Sequence, residues 1–429
     1  MTTSSNISIP PADADRLALL LKLSQVFNST LDLDEVLNRV MAEVISVLRA
    51  ERGFVMLYEP DGELVFKVAR GMNQDAITDA RFQVSRGVIN QVASTCEPVL
   101  TTDALTDSRF SMHESIISLG LRSILCAPLT IQGRVTGIIY VDNRLKSGIF
   151  DRSELELLAA IASSAAAAIE NARLYQVAIE KSRLDRELQM AYDVQAGLLP
   201  HELPQLDGYQ VAARWHPARM VAGDFYDFIA LPDGKLGLVI GDVSDKGMPA
   251  ALFMAHTRST LRASIAHTPG LAGAIASTNQ LLCSDSAGSM FVTLFIIQVD
   301  PSNGHCTYVN AGHNPALLFK AGGPFAGQLF ELRRTGMAAG VMEDTTYSED
   351  EVTLEPGDFI LLYTDGVIDA SDASNREFGT DRLRLSLLER PKLSAEEILS
   401  NLEANIHAHV SSTPQFDDIA MVLIKRIGW

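Results

Sequence analysis

The chain has 429 residues, 47% of them hydrophobic and 21% charged, a composition that specifies folded domains, two or three by length, and excludes a disordered chain. Its net charge of −18 argues against a surface for nucleic acid or for an anionic membrane. Cys96, Cys126, Cys283 and Cys306 are scattered, so a zinc site or a disulfide framework is a poor reading and buried small hydrophobes a better one.

The first residues lack a charged segment followed by an apolar core, and no uninterrupted apolar run reaches the length of a membrane span. The expectation is a cytoplasmic protein with no signal peptide and no membrane segment. Residues 1–14, polar or small with Pro10 and Pro11, read as a flexible tail. From Asp15 to Leu48 apolar residues recur at helical spacing, interrupted at Thr30-Leu-Asp-Leu-Asp, which predicts two helices about a short turn. Phe54 to Tyr58 and Leu64 to Val68 flank Pro60-Asp-Gly, and Ser123 to Ile131 and Val135 to Val141 flank Gln132-Gly133. Both pairs read as hairpins, with helical and loop material between them. Helices outside an antiparallel sheet give a compact α+β domain over about residues 15–170.

Asp151 and Glu154 form a capping pair for a helix from about Ser153 to Leu198, with no Gly or Pro before Gly197. Its apolar residues follow three-four spacing, with a change of register near Arg173 to Gln176. A sustained seam of this kind predicts a coiled coil, so residues 171–200 are expected to link two domains and to pair two chains as a homodimer.

Residues 201–429 read as strands, then helices, then strands. Val211–Trp215, Phe225–Ile229 and Leu236–Ile240 come first, and Pro249–Ile265 and Leu271–Ser284 are amphipathic helices. Later strands are Phe291–Val299, Cys306–Asn310, Ala316–Lys320, Gln328–Leu332, Phe359–Tyr363 and Ile419–Ile424, with Ser394-Ala-Glu-Glu397 as a capping box before a helix ending near Val410. Two packed sheets with outer helices fit this count. Four segments place an Asp beside apolar residues: Asp224, Asp242, Asp365 and the Asp417-Asp418 pair. Buried acids of this number are tolerable when they converge on cations, and oxygen-only ligation points to magnesium or manganese rather than zinc.

The ordered motifs Ala222-Gly-Asp-Phe-Tyr-Asp, Gly241-Asp-Val-Ser-Asp-Lys-Gly-Met-Pro-Ala-Ala-Leu, Ala311-Gly-His-Asn-Pro-Ala, Leu362-Tyr-Thr-Asp-Gly-Val and Phe416-Asp-Asp-Ile resemble the metal-dependent protein phosphatases, in their bacterial stage-II-sporulation-E branch. The resemblance covers about residues 185–429. It implies a two-sheet sandwich and hydrolysis of phosphoserine or phosphothreonine on a phosphorylated regulatory protein, of the anti-sigma-factor-antagonist type. It also implies two or three Mn2+ or Mg2+ ions: Asp242 bridging them, the Val243 carbonyl adding a ligand, and Asp224, Asp365 and Asp417 holding either side, with Asp417 favoured over Asp418. Asp227 and Asp418 are candidates for contact through water. Arg219, five residues before Asp224, is either a phosphate holder or a surface residue. Ser244 stands where eukaryotic members carry a His, and His313 reads as a turn residue. In the N-terminal half, Arg52-Gly-Phe-Val-Met-Leu, Ser123-Ile-Leu-Cys-Ala-Pro-Leu and Gly137-Ile-Ile-Tyr-Val-Asp-Asn resemble a GAF domain. That resemblance implies a small-molecule ligand or a dimerising role. The cyclic-nucleotide signature is matched only in part, by Asn143, Arg144, Phe150 and Glu154. The alternative to a regulated phosphatase is a catalytically inactive sensor and docking protein whose GAF domain binds a small ligand.

Overall fold

In the computed structural model, residues 11–73, 75–77, 84–110, 114–285 and 290–428 are described. Helix α1 (Pro11–Phe27) starts inside the expected 1–14 tail, since proline is pre-organised for the first helical position; residues 1–10 lie outside the described residues. Asp32 caps α2 (Leu33–Leu48) by accepting from the Glu35 amide at 2.8 Å. The face of α2 formed by Val36, Leu37, Val40, Val44 and Leu48 is buried, as its spacing requires.

These helices cover one face of a five-stranded antiparallel sheet. Its strands are β1 (Arg52–Tyr58), β2 (Leu64–Gly71), β3 (Val99–Thr101), β4 (Ser123–Ile131) and β5 (Arg134–Asn143), in the order β2-β1-β5-β4-β3. Helices α3 (Arg86–Thr95) and α4 (Glu114–Leu119) contribute to the second core, around Phe54, Val88, Ile116 and Tyr140. Helix α5 runs from Arg152 to Leu198, 47 residues, continuous through the expected register change. Its start is capped as expected, Asp151 Oδ1 accepting from the Ser153 amide and Glu154 from the Asp151 amide. By length and composition α5 is apolar enough to cross a membrane. Leu158, Ile161, Ala162, Ala165, Ile169 and Ala172, however, are buried in the core beneath α2 and the sheet, which is what its alanines permit.

Contacts divide the chain into Met1–Leu184 and Asp185–Trp429. The second unit holds two five-stranded antiparallel sheets. One joins β7 (Phe225–Ala230), β8 (Leu236–Val243), β9 (Val292–Val299), β10 (His305–Ala311) and β13 (Asp350–Thr353), in the order β13-β10-β9-β8-β7. The other joins β6 (Tyr209–His216), β11 (Ala316–Lys320), β12 (Gln328–Leu332), β14 (Phe359–Tyr363) and β15 (Ile419–Arg426), in the order β12-β11-β14-β15-β6. Alternation along the strands sorts three cores. Leu236, Leu238 and Ile240 of β8 meet Ala420, Val422 and Ile424 of β15 between the sheets. Val239 and Val243 turn outward under α6 (Met248–His267) and α7 (Leu271–Asp285), and Met421 and Leu423 under α9 (Gly379–Glu389) and α10 (Ala395–Val410). The capping box of α10 is present, with Ser394 and Glu397 exchanging hydrogen bonds. The short helix α8 (Gly366–Asp369) follows β14 directly.

Candidate functional site

Five acids reach one end of the sandwich because of register. Asp224 precedes β7 and Asp242 lies near the end of β8, with Phe225 paired to Gly241. Asp365 follows β14 and Asp417-Asp418 precede β15, with Tyr363 paired to Met421. Side-chain alternation keeps Asp242 on the inner face begun by Leu238 and Ile240. Two glycines allow the segments to close up. A Cβ on Gly223 would sit 3.1 Å from the Val243 carbonyl oxygen, and one on Gly366 would sit 1.9 Å from that of Asp418.

Asp224 is 2% exposed and its Oδ2 has no hydrogen-bond partner. Burial, then the charge of Asp242, holds its carboxyl well above the usual range, although the Thr364 hydroxyl opposes this. Burial, followed by the charge of Asp365, pushes Asp242 up to about 7, and Asp417 and Asp418 add to the effect. Burial and then Asp417 raise Asp365. Burial raises Asp418, opposed by the amides it accepts from. Among the described residues no three acidic, His or Cys side chains close into a ready-made metal cage; the acids stand within electrostatic reach of one another. A basic group in contact with them is Lys246, whose Nζ lies 2.8 Å from Asp417 Oδ2 and 3.2 Å from the Phe416 carbonyl. Like charges gathered in a low dielectric, an orphaned buried oxygen and an all-oxygen donor set fit a hard divalent cation.

The residues named from the sequence divide. Asp224, Asp242, Asp365, Asp417 and Asp418 come together, and Val243 lies beside Gly223. Both oxygens of Asp418 accept backbone amides, Ala218 at 2.7 Å and Gly223 at 2.8 Å. Asp418 therefore moors the loop that carries Arg219, whose side chain is exposed. Ser244 extends the sheet, accepting from the Phe291 amide through Oγ and donating its own amide to the Phe291 carbonyl. Asp227 does not face the acids: Arg258 and Arg262 of α6 hold it at 3.0 and 2.5 Å. An acid next to a strand start was a fair candidate, but two arginines one helical turn apart already compensate it. His313 is 2% exposed and does more than turn the chain. It bridges Thr293 of β9 at 2.8 Å and the Tyr363 carbonyl of β14 at 3.1 Å, the strands beside Asp242 and Asp365.

Sequence reasoning missed four contributors. Thr364 lies in the Tyr-Thr-Asp-Gly motif and Lys246 in the motif after Asp242, so the motifs themselves were the signal. Gln195 and Trp215 left none. The Gln195 side chain exchanges hydrogen bonds with the Ala222 amide and carbonyl, at 3.0 and 2.6 Å. Trp215 donates to the Asp224 carbonyl at 2.9 Å and stacks on Tyr192, 5.8 Å between ring centroids. The end of α5 is thus two contacts from the most buried acid of the cluster.

Two family models match the chain: stage II sporulation protein E over residues 232–427, and the GAF domain over residues 32–169. Protein IcfG of Synechocystis is 35% identical over 268 residues, 56% of this chain and 41% of that protein. Phosphoserine phosphatase RsbU of Bacillus subtilis is 25% identical over 256 residues, 57% of this chain and 72% of that protein. The chain thus spans less than half the length of IcfG. The SiaA PP2C domain of Pseudomonas aeruginosa shares the fold of the C-terminal unit, with a TM-score of 0.50 at 22% identity, over 57% of this chain and 98% of that domain.

Proposed function

We propose that this chain, a GAF domain joined by a long helix to a phosphatase domain of the stage II sporulation E type, hydrolyses phosphoserine or phosphothreonine on a regulatory protein, with manganese or magnesium as cofactor. The observation that carries this reading is the convergence of Asp224, Asp242, Asp365 and Asp417 from four chain segments, with a buried carboxylate oxygen left unpartnered. Asp224, Asp242, Asp365 and Asp417, with the Val243 carbonyl, would hold the cations; four negative charges balance two divalent ions. Bound there, a divalent cation supplies Lewis-acid polarisation and lowers the pKa of water. The chain's own part is positional. Asp418 fixes the loop of Arg219, and Arg219 would hold phosphate oxygens. Lys246 ties the turn after Asp242 to Asp417. An anti-sigma-factor antagonist is the substrate we favour on the motif resemblance, and the similarity to RsbU, a phosphoserine phosphatase, supports phosphoserine as the group removed.

Regulation by the GAF domain would pass along α5, whose end touches Ala222 through Gln195. Pairing of two chains would use the exposed stretch of α5, where Leu174, Val177 and Leu184 lie on one seam with Leu188 and Ala191. The test is hydrolysis of a phosphoserine peptide and of para-nitrophenyl phosphate by the full chain with and without Mn2+. Turnover that needs the metal and falls by roughly 1,000-fold or more in Asp242→Asn supports the reading. No metal-dependent turnover on either substrate leaves the inactive sensor as the answer.

A further inference from the structure

Beside the acidic cluster lies a cavity of about 280 Å³. Its floor is apolar, made by Ile406, Ile419 and Met421, all buried. Ala370, which follows α8, and Val410, at the end of α10, line it as well. Asp417 and Gly366, the residues next to Asp418 and Asp365, line it too. Its volume falls just below the range of about 300–1,000 Å³ usual for small-molecule pockets, which suits one large side chain better than a whole metabolite.

The rim carries Phe416, 77% exposed, with the Lys246 ammonium 4.0 Å from its ring centroid. An exposed aromatic beside a pocket is the kind of residue that anchors a partner. Both acids in the wall already have partners: Asp417 meets Lys246 at 2.8 Å, and Glu403 meets Arg214 at 3.2 Å and His216 at 2.7 Å. The floor, not the charge, therefore decides what enters.

We propose that this cavity is a substrate subsite: it takes an apolar side chain of the phosphoprotein, one or two positions from the phosphorylated residue, and so sets sequence preference. The inference rests on the phosphatase reading above. The reach follows from shared walls. Asp417 belongs to both the acidic cluster and the cavity, and an extended segment advances only about 3.3 Å per residue. A phosphate at the acids thus brings its neighbouring side chains to the cavity mouth.

The experiment uses the full-length protein with Mn2+ and three phosphoserine peptides that carry Leu, Ala or Lys at the positions flanking the phosphoserine, with para-nitrophenyl phosphate as a substrate that has no flanks. The wild type is expected to favour the Leu peptide over the Ala peptide by about tenfold in kcat/KM, the scale of one filled apolar pocket. Filling the cavity with Ala370→Leu, or independently Val410→Phe, is expected to erase that preference while turnover of para-nitrophenyl phosphate stays within about twofold. A wild type indifferent to the flanking residue overturns the subsite, as does one that prefers Lys. So does a pair of filled variants that keep the Leu preference, or that lose peptide and para-nitrophenyl phosphate turnover equally. A wild type that turns over none of these substrates overturns the phosphatase reading and the subsite with it, whereas turnover of para-nitrophenyl phosphate with a flat peptide panel removes the subsite alone.

Discussion

Asp142 in the N-terminal unit and Asp224 in the C-terminal unit are both sealed from solvent, at 0% and 2% exposure, and they are treated in opposite ways. Asp142 has its own cation: Arg52, its cross-strand neighbour, donates Nε to Oδ1 at 2.8 Å. Asp227, between Arg258 and Arg262, and Asp358, held by Lys320 and by the amides of Ala321 and Glu355, are handled the same way. Asp224 has other acids for neighbours. A buried carboxylate with an internal partner holds structure together, and breaking such a pair is costly. A buried carboxylate among its own kind stores repulsion that an incoming cation relieves. On the proposed reading this difference separates structural acids from metal-holding ones within a single chain, although acidic residues of both kinds look alike in sequence.

The sharpest way to break this comparison is to remove one member from each site. Arg52→Ala leaves Asp142 buried without its guanidinium and is expected to cost about 3–5 kcal/mol of stability, read as a lower urea midpoint for the N-terminal domain. Asp242→Asn, in protein treated with a chelator, is expected to keep or raise the midpoint of the C-terminal domain, because it removes a repelling charge. Equal destabilisation by the two substitutions would mean that the acidic cluster is structural after all.

A second measurement sharpens it with a buried group that is neutral. The Tyr363 carbonyl can only accept, so His313 carries its proton on Nε2 and accepts from Thr293 through Nδ1. Burial pushes this imidazole down to about 4 from 6.5. Because the folded value lies below the unfolded one, the unfolded chain takes up the proton first as pH falls. Stability is full above about pH 6.5 and drains as pH falls toward 4, by about 3 kcal/mol at most. His313→Gln should flatten that part of the stability-against-pH curve; an unchanged curve would remove His313 from the account.

The smallest expected effect tests the route from α5 to the acids. Gln195→Ala removes the two hydrogen bonds to Ala222 and should lower phosphatase turnover by about tenfold while leaving the fold intact, the usual scale for a residue behind the site. Sedimentation of the same proteins reports pairing: a monomer at micromolar concentration would remove the dimer, and unchanged turnover in Gln195→Ala would remove the coupling.

Much of the architecture was legible because it is periodic. The hairpins at 52–71 and 123–143, the long helix and the capped α10 fall where alternation, three-four spacing and capping residues put them. β13 was missed because Asp350-Glu-Val-Thr is a short edge strand, almost wholly exposed, with no apolar face to announce it. α9 was missed because its two buried leucines, Leu383 and Leu387, are too few to make a periodic stripe. Asp227 was placed with the site by its nearness in sequence to Asp224, whereas the alternation of β7 and two arginines on α6 decide its partner.

The sequence by itself determined the kinds of element, their order and the set of acids, because these follow from local spacing and from residue chemistry. It also carried the family motifs, since each is a contiguous run. Only the tertiary structure decided which acids face one another, that Asp418 spends both oxygens on the Arg219 loop, that His313 ties two strands and that a cavity opens beside Asp417. Those facts depend on strand register and sheet-on-sheet packing between residues up to 200 positions apart, and no local pattern encodes a contact over that separation.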